Sequence, residues 1–380
     1  MTVNATQGIT SRRMGVTSRL LPRLGLFALG FLLLGCLLTA CDGSDKEATK
    51  ESSSTPAGVL DPSSPGPYPV GVAEIAFEKT SVTTGEPRIL KTVVWYPASA
   101  NARNATLDEE VGGTRDAEPV HDEGPLPIIV WSHGAGGGYP YAPLYYASHL
   151  AGHGFVVIAP PHPGNLHDEC PSGSGCTQEG MVDSYLNRPA DLTFALESML
   201  KLGENPDSPF YHLLDGSRVG ISGHSFGGND TARLAETEIG APFSAALAMA
   251  PCTAEFVAPP DKVTMPLMIM AGDRDKRCVS TFEQTFFDGL SDSLPHFFLV
   301  FPRGGHSAYG DTCPLPIPEL ACGPDDLSQE KAHQLILFYA TAFFKTYVAQ
   351  EEGYAAFLDP AVNSEEPDIR YTAELPQPAP

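Results

Sequence analysis

The stretch Arg218-Val219-Gly220-Ile221-Ser222-Gly223-His224-Ser225-Phe226-Gly227-Gly228 decides how this chain is read. Arg218–Ser222 reads as a strand and Gly227–Glu238 as a helix. Between them stands G-x-S-x-G, in the strand–turn–helix setting that motif requires. A sharp turn there strains the serine and leaves no room for neighbouring Cβ atoms, so glycines flank it. The turn lifts Ser225 clear of the sheet, beside a helix N-terminus whose dipole favours developing negative charge. The bland alternative is a chance pentapeptide in a chain with 37 glycines among 380 residues; the setting argues against it.

Outward from this turn, strands and helices alternate. Val70–Glu78 and Arg88–Tyr96 are β-rich runs joined by Thr83-Thr84-Gly85-Glu86-Pro87, a hairpin signal. Leu126–Ser132 is an unalternating, β-branched run, the pattern of a strand buried on both faces. Tyr141–Gly152 reads as a helix and Phe155–Ala159 as a buried strand. Pro189–Leu202 carries Leu192, Ala195, Leu196 and Met199 at helical spacing. Strands follow at Ala245–Met249, Leu267–Ala271 and Phe297–Phe301, with helices at Thr281–Leu290 and Ser328–Val348. Asn101–Gly124 and Gly164–Gly180 read as loops. The pattern predicts an α/β fold: a mostly parallel central sheet, an antiparallel edge from the N-terminal hairpin, and helices on both faces. Ligands of such sheets sit at the carboxyl ends of the strands.

A serine is a weak nucleophile without a base, and the base needs an orienting acid. Downstream of Ser225 the histidines are His296, His306 and His333. His296 starts a strand and His333 lies inside the closing helix. His306 directly follows a strand within Arg303-Gly304-Gly305-His306-Ser307, the position a catalytic histidine needs. The acid belongs after the preceding strand, where Gly272-Asp273-Arg274-Asp275 offers two carboxylates. An oxyanion hole needs two backbone N–H donors. Phe226, the residue after the serine, supplies one; the loop His133-Gly134-Ala135-Gly136-Gly137-Gly138 supplies the other, from Ala135 or alternatively Gly136. That loop is not a dinucleotide fingerprint, because G-x-G-x-x-G would need glycine at Tyr139. Tyr139, Tyr141 and Phe226 are candidate walls of a substrate pocket.

With Tyr68-Pro69-Val70-Gly71-Val72, Val94-Trp95-Tyr96-Pro97, Ser132-His133-Gly134, His149-Leu150-Ala151-Gly152-His153-Gly154-Phe155 and Arg188-Pro189-Ala190-Asp191 added, the chain resembles the α/β-hydrolase superfamily over residues 68–348. Within it, the chain is most similar to the platelet-activating-factor acetylhydrolase and dienelactone-hydrolase-like group, which includes bacterial cutinase-like polyesterases. The resemblance implies ester hydrolysis through an acyl-enzyme, with Ser225, Asp275 and His306 as catalytic residues and neither metal nor cofactor. It selects Asp275 because such hydrolases read G-x-x-D with the last residue catalytic. The loops after His162 and after His306 depart from the group's pattern, so acyl and alcohol preference do not carry over.

The termini read differently. Arg12, Arg13, Arg19 and Arg23 precede the apolar run Leu24–Leu38, too short for a membrane span of roughly 20 residues and of signal-peptide length. It ends in Leu38-Thr39-Ala40-Cys41, which resembles a lipobox with Cys41 as the lipidated residue. Residues 1–40 are thus expected to be a signal peptide, 41–67 a disordered tether, 68–349 the hydrolase domain, and 350–380 an acidic, Pro-rich tail. The expected location is the bacterial cell envelope, with the protein held extracytoplasmically by its lipid. Removal of residues 1–40 takes four arginines and no acidic residue, moving the net charge from −23 to −27. So acidic a chain repels nucleic acid and has no basic face for anionic lipid, which leaves membrane attachment to the anchor.

Without Cys36 and Cys41, six cysteines remain. Proximity suggests the pairs Cys170–Cys176, Cys252–Cys278 and Cys313–Cys322, although six thiols allow 15 connectivities. The spacings do not suit zinc; His162, His167 and Asp168 are read as a polar loop. The expected function is a lipid-anchored serine carboxylic-ester hydrolase, acting on acetylated phospholipid or other short-acyl esters. The rivals are a polyester hydrolase, a serine peptidase, and a non-catalytic envelope lipoprotein that uses the fold for binding.

Overall fold

A computed structural model describes residues 58–170, 176–236, 242–252, 259–311, 323–360 and 366–376. The strands are β1 (Val70–Thr80), β2 (Pro87–Pro97), β3 (Thr114–Arg115), β4 (Leu126–Ser132), β5 (Val156–Ala159), β6 (Leu214–His224), β7 (Ala245–Met249), β8 (Leu267–Gly272), β9 (His296–Phe301) and β10 (Arg370–Glu374). They form one sheet in the order β10-β9-β8-β7-β6-β4-β5-β2-β1-β3. From β5 through β4 and β6 to β9 every pairing is parallel. The β1–β2 hairpin and its junction with β5 are antiparallel, as is β10 against β9.

The central strands are apolar because both of their faces are covered. All seven residues of β4 are buried, as are all of β7, β8 and β9. Helices α1 (Leu144–Gly152) and α5 (Gln329–Tyr347) cover one face, where Tyr146, Leu150, Ile336 and Phe343 pack on Trp95, Trp131 and Phe297. Helices α2 (Gln178–Gly203), α3 (Phe226–Leu234) and α4 (Ser280–Phe287) cover the other. There Leu192, Leu196, Met199, Leu234 and Phe287 pack on Ile128, Val130 and Ile221. This is the α/β-hydrolase fold. The switch in strand order falls at β6, which lies between β4 and β7, so a side chain at the carboxyl end of β6 is central to the molecule.

Three segments differ from expectation. Helix α2 begins at Gln178, eleven residues before Pro189, capped by the Thr177 hydroxyl accepting the Gly180 N–H at 3.1 Å. Proline read as a helix start is here an interior residue. The tail expected from Gln350 returns to the sheet: Tyr354, Phe357 and Leu358 are buried, and β10 adds an edge strand. The tether expected to end at Pro67 is pinned from Pro62 onward. His149 Nε2 donates to the Pro62 carbonyl at 2.8 Å, and His153 Nε2 to that of Ser64 at 2.7 Å.

Cys170–Cys176 and Cys252–Cys278 are disulfide-bonded. Cys313, Cys322, Cys36, Cys41 and the apolar run Leu24–Leu38 lie outside the described residues. Among the described residues no helix is long and apolar enough to cross a membrane.

Candidate active site

Ser225 directly follows β6 at φ 58° and ψ −118°, a left-handed backbone that a non-glycine residue holds only where its surroundings enforce it. Its N–H donates to the Met249 carbonyl of β7 at 2.9 Å. The flanking glycines are required by contact. A Cβ on Gly227 would run into the Ser132 and His133 carbonyls, and one on Gly223 into the carbonyls of Gly227 and Ser132. Helix α3 therefore starts directly against the end of β4, and the serine side chain stands at its N-terminus.

His306, in a short turn after β9, faces that side chain with Nε2 at 2.9 Å from Ser225 Oγ. Its Nδ1 donates to Asp275 Oδ2 at 2.7 Å. Asp275 follows β8 and is buried; its Oδ1 accepts the N–H groups of Arg277 at 2.8 Å and Cys278 at 2.9 Å. One carboxylate oxygen is thus fixed by backbone and the other holds the imidazole. Asp273 points elsewhere: its Oδ1 accepts the Arg303 N–H at 2.6 Å and its Oδ2 pairs with Arg370 of β10 at 3.2 Å. Glu283, in the first turn of α4, is also buried. Burial, then the neighbouring Asp275 charge, raises its carboxyl pKa well above the usual range, which disfavours a second negative charge near Asp275.

Residue His224 contributes in a way the sequence did not signal. Its Nε2 donates to the His306 carbonyl at 3.0 Å, and its ring lies 4.7 Å from that of His306. Burial, then the neighbouring His306, pulls its pKa well below the ordinary value, so it serves as a neutral prop.

The loop after β4 is held by a buried polar network. Arg188, inside α2 and fully buried, donates from Nη1 to the His133 carbonyl at 2.7 Å and pairs with Asp230 of α3 at 3.0 Å. His133 Nδ1 donates to the Gly134 carbonyl at 2.7 Å while its Nε2 accepts the His162 N–H at 3.0 Å. Those two roles fix one neutral tautomer; burial depresses its pKa accordingly. Asp191 of the same Arg-Pro-Ala-Asp run pairs with Arg88 at 2.9 Å and His162 at 3.1 Å. The Gly136 N–H is taken by Asn165 Oδ1 at 2.5 Å. That leaves Ala135, which borders the same cleft as Ser225 and Phe226, as the better placed of the two proposed donors.

This cleft, about 310 Å³, is lined by Ala135, Ser225, Phe226 and Asn229, by Met181, Val182 and Tyr185 of α2, and by Gln178, Cys252 and Arg277. Phe226 is thus a wall residue. Its ring stacks on Tyr185 at 6.0 Å and lies under the Arg188 guanidinium at 4.4 Å. Tyr139 and Tyr141, also proposed as wall residues, are not among the lining residues. The Tyr139 hydroxyl meets Arg115 at 3.2 Å, and its ring packs edge-on against Tyr141 at 5.8 Å. The α2 wall lies where the sequence reads as loop over Gly164–Gly180, with the helical spacing evident only from Pro189 onward. Met181, Val182 and Tyr185 at helical spacing were the available signal.

The sheet order, the strained serine turn and the Ser225–His306–Asp275 relay together define an α/β-hydrolase with a serine-centred site. The chain belongs to the family described as "PETase: PET hydrolase-like", which it matches over residues 143–374. A cutinase of Thermobifida fusca is 25% identical over 296 residues, covering 73% of this chain and 87% of that protein. Cutinase 1 of Thermobifida cellulosilytica is 26% identical over 238 residues, 60% of this chain and 79% of its own. In fold, the chain is similar to a ferulic acid esterase from Streptomyces cinnamoneus, with TM-score 0.60 at 19% identity, over 80% of this chain and 96% of that one. The family match thus falls on the cutinase-like polyesterases rather than on the platelet-activating-factor acetylhydrolase branch placed first by sequence resemblance.

Proposed function

We propose that the protein is a serine carboxylic-ester hydrolase of cutinase-like type, acting on polyester and short-acyl esters. The observation that carries this is the position of His306, within hydrogen-bond distance of both Asp275 Oδ2 and Ser225 Oγ, the latter residue lining a largely apolar cleft. Ser225 Oγ attacks the ester carbonyl carbon as His306 Nε2 takes its proton. The oxyanion is met by the Phe226 and Ala135 amides, each worth roughly 3 kcal/mol of barrier lowering. Collapse expels the alcohol, which receives the proton from His306. Water, deprotonated by His306, then releases the acid and restores the serine. Asp275 holds the ring and stabilises the imidazolium throughout. The cutinase relatives favour polyester over acetylated phospholipid as the substrate class.

A fluorophosphonate reagent should label the wild-type protein, and Ser225→Ala should abolish labelling. Purified protein should release acid from a polyester emulsion and from p-nitrophenyl butyrate, with acetylated phospholipid a poor substrate. Absence of labelling and of turnover on every ester would overturn the hydrolase reading.

The proposed setting is the cell envelope, with Cys41 as the lipidated N-terminus of the mature chain. Two or three acyl chains, at about 0.8 kcal/mol per buried CH₂, hold a protein firmly on a bilayer. Cys41→Ala should move the protein to the soluble fraction or leave it unprocessed; wild-type protein in the medium with an unmodified N-terminus would refute the anchor.

A further inference from the structure

We propose that the cleft beside Ser225 receives an acyl group bearing a carboxylate, and that Arg277 binds that carboxylate. The inference rests on the serine-hydrolase reading and names a substrate class for the same site.

The side of the site comes first. The cleft's lining includes Ser225 and not His306. The departing alcohol must take its proton from His306 Nε2, so the alcohol half lies on the histidine's side. This cleft therefore takes the half that stays bonded to the serine.

Its charge comes next. Arg277 is an exposed residue on the cleft wall, and among the described residues its guanidinium has no carboxylate partner. The nearest acid in sequence, Asp275, is committed to His306 and to the Arg277 and Cys278 amides. By contrast Arg88, Arg115, Arg188, Arg218, Arg233, Arg274, Arg303 and Arg370 all lie within ion-pair distance of an Asp or Glu. Among the described residues Arg103 and Arg277 are the arginines without such a partner; Arg103 bonds the Pro67 carbonyl, and Arg277 borders the cleft. Its planar fork suits a carboxylate.

The third observation is Asn229, one helical turn beyond Ser225. It lines the same cleft, is 2% exposed, and its Oδ1 has no hydrogen-bond partner among the described residues. A buried amide oxygen left unpaired is unfavourable by roughly 1–3 kcal/mol, so it marks a polar spot on an otherwise apolar wall, one that calls for a donor and leaves the carboxylate to Arg277. Met181, Val182 and Phe226 suit the carbon skeleton between. A plain fatty acyl chain would leave the Arg277 cation unneutralised; a dicarboxylic half-ester would neutralise it.

The test compares monoethyl adipate, an anionic half-ester, with neutral diethyl adipate. Arg277→Gln should lower the ratio of kcat/KM for half-ester over diester by about tenfold or more, the size of a lost charge-assisted contact. Arg277→Lys should fall between, and added salt should lower the wild-type ratio. A ratio in Arg277→Gln within about twofold of wild type would overturn the proposal, since a charged contact is worth more than that. Calorimetry on Ser225→Ala protein reads binding without turnover: half-ester should bind, and Arg277→Gln in that background should abolish it. If wild type cleaves neither ester while Arg277-dependent binding persists, the hydrolase reading falls and the carboxylate site stands. If the diester is cleaved while half-ester binding ignores Arg277, the reverse holds.

Discussion

Asp273 and Asp275 leave the end of β8 in opposite directions: Asp275 meets His306 at 2.7 Å, whereas Asp273 ties Arg303 to Arg370 of the C-terminal strand. The two carboxylates therefore have separable consequences. Asp275→Asn should keep the shape but favour the wrong imidazole tautomer, with a loss of kcat that approaches 10⁴, as about that much is lost in other serine triads. Asp273→Asn should leave kcat on a p-nitrophenyl ester nearly unchanged and lower the unfolding midpoint slightly. Steady-state kinetics on both variants checks the assignment; the opposite ranking would move it to Asp273.

Arg188 should matter to both stability and rate. Removing the close partner of a buried ion pair leaves Asp230 with only the Ser132 hydroxyl at 2.9 Å and the more distant Arg233 at 3.6 Å, so Arg188→Met should cost about 3 kcal/mol. It also frees the His133 and Gly134 carbonyls, loosening the loop that carries Ala135. A urea titration reads the first effect. A fall in kcat with little change in KM reads the second, because the oxyanion contact is made mainly in the transition state.

Acid sensitivity should trace in part to His149. Burial, then the neighbouring His153, holds its pKa down to about 4. Its folded-state pKa lies below the unfolded value near 6.5, so the unfolded chain binds the proton first. The stability of its neutral form is present above about pH 6.5 and is lost as pH falls toward 4, on the order of 3 kcal/mol in all. His149→Gln should flatten the fall of the urea midpoint across that window relative to wild type. An unchanged difference between pH 7 and pH 4 would refute this.

The two described disulfides should contribute unequally. Cys252–Cys278 closes a separation of 26 residues and Cys170–Cys176 only 6. On chain entropy alone the longer loop should be worth roughly 1 kcal/mol more. Cys278 also donates its N–H to Asp275, so Cys252→Ser with Cys278→Ser should lower kcat as well as the melting temperature. Thiol titration of denatured, unreduced mature protein should find no free thiol.

What the sequence made legible was local. The Ser225 turn could be read because glycine, strand and helix signals stand side by side. His306 could be read because it abuts an apolar strand. The Arg-Pro-Ala-Asp run stands out in the sequence, but its part in holding the His133 loop depends on Asp230, Arg88 and His162, which are distant in the chain. β10 was missed for a different reason. An edge strand buries only one side, and Arg370-Tyr371-Thr372-Ala373-Glu374 sits in an acidic, Pro-rich context that masks its alternation. The cleft wall from α2 was hidden by Pro189, since proline within a helix contradicts the usual boundary rule.

That last strand has a consequence for handling the protein. β10 covers the outer rim of β9, whose His296-Phe297-Phe298-Leu299-Val300-Phe301 is buried along its whole length. A chain shortened before Arg370 would bare a row of unpaired backbone groups on the most aromatic strand of the sheet, a template for pairing with other chains. The C-terminus thus acts as a guard against self-association during folding and storage, and fusion tags belong beyond Glu374 rather than in place of it.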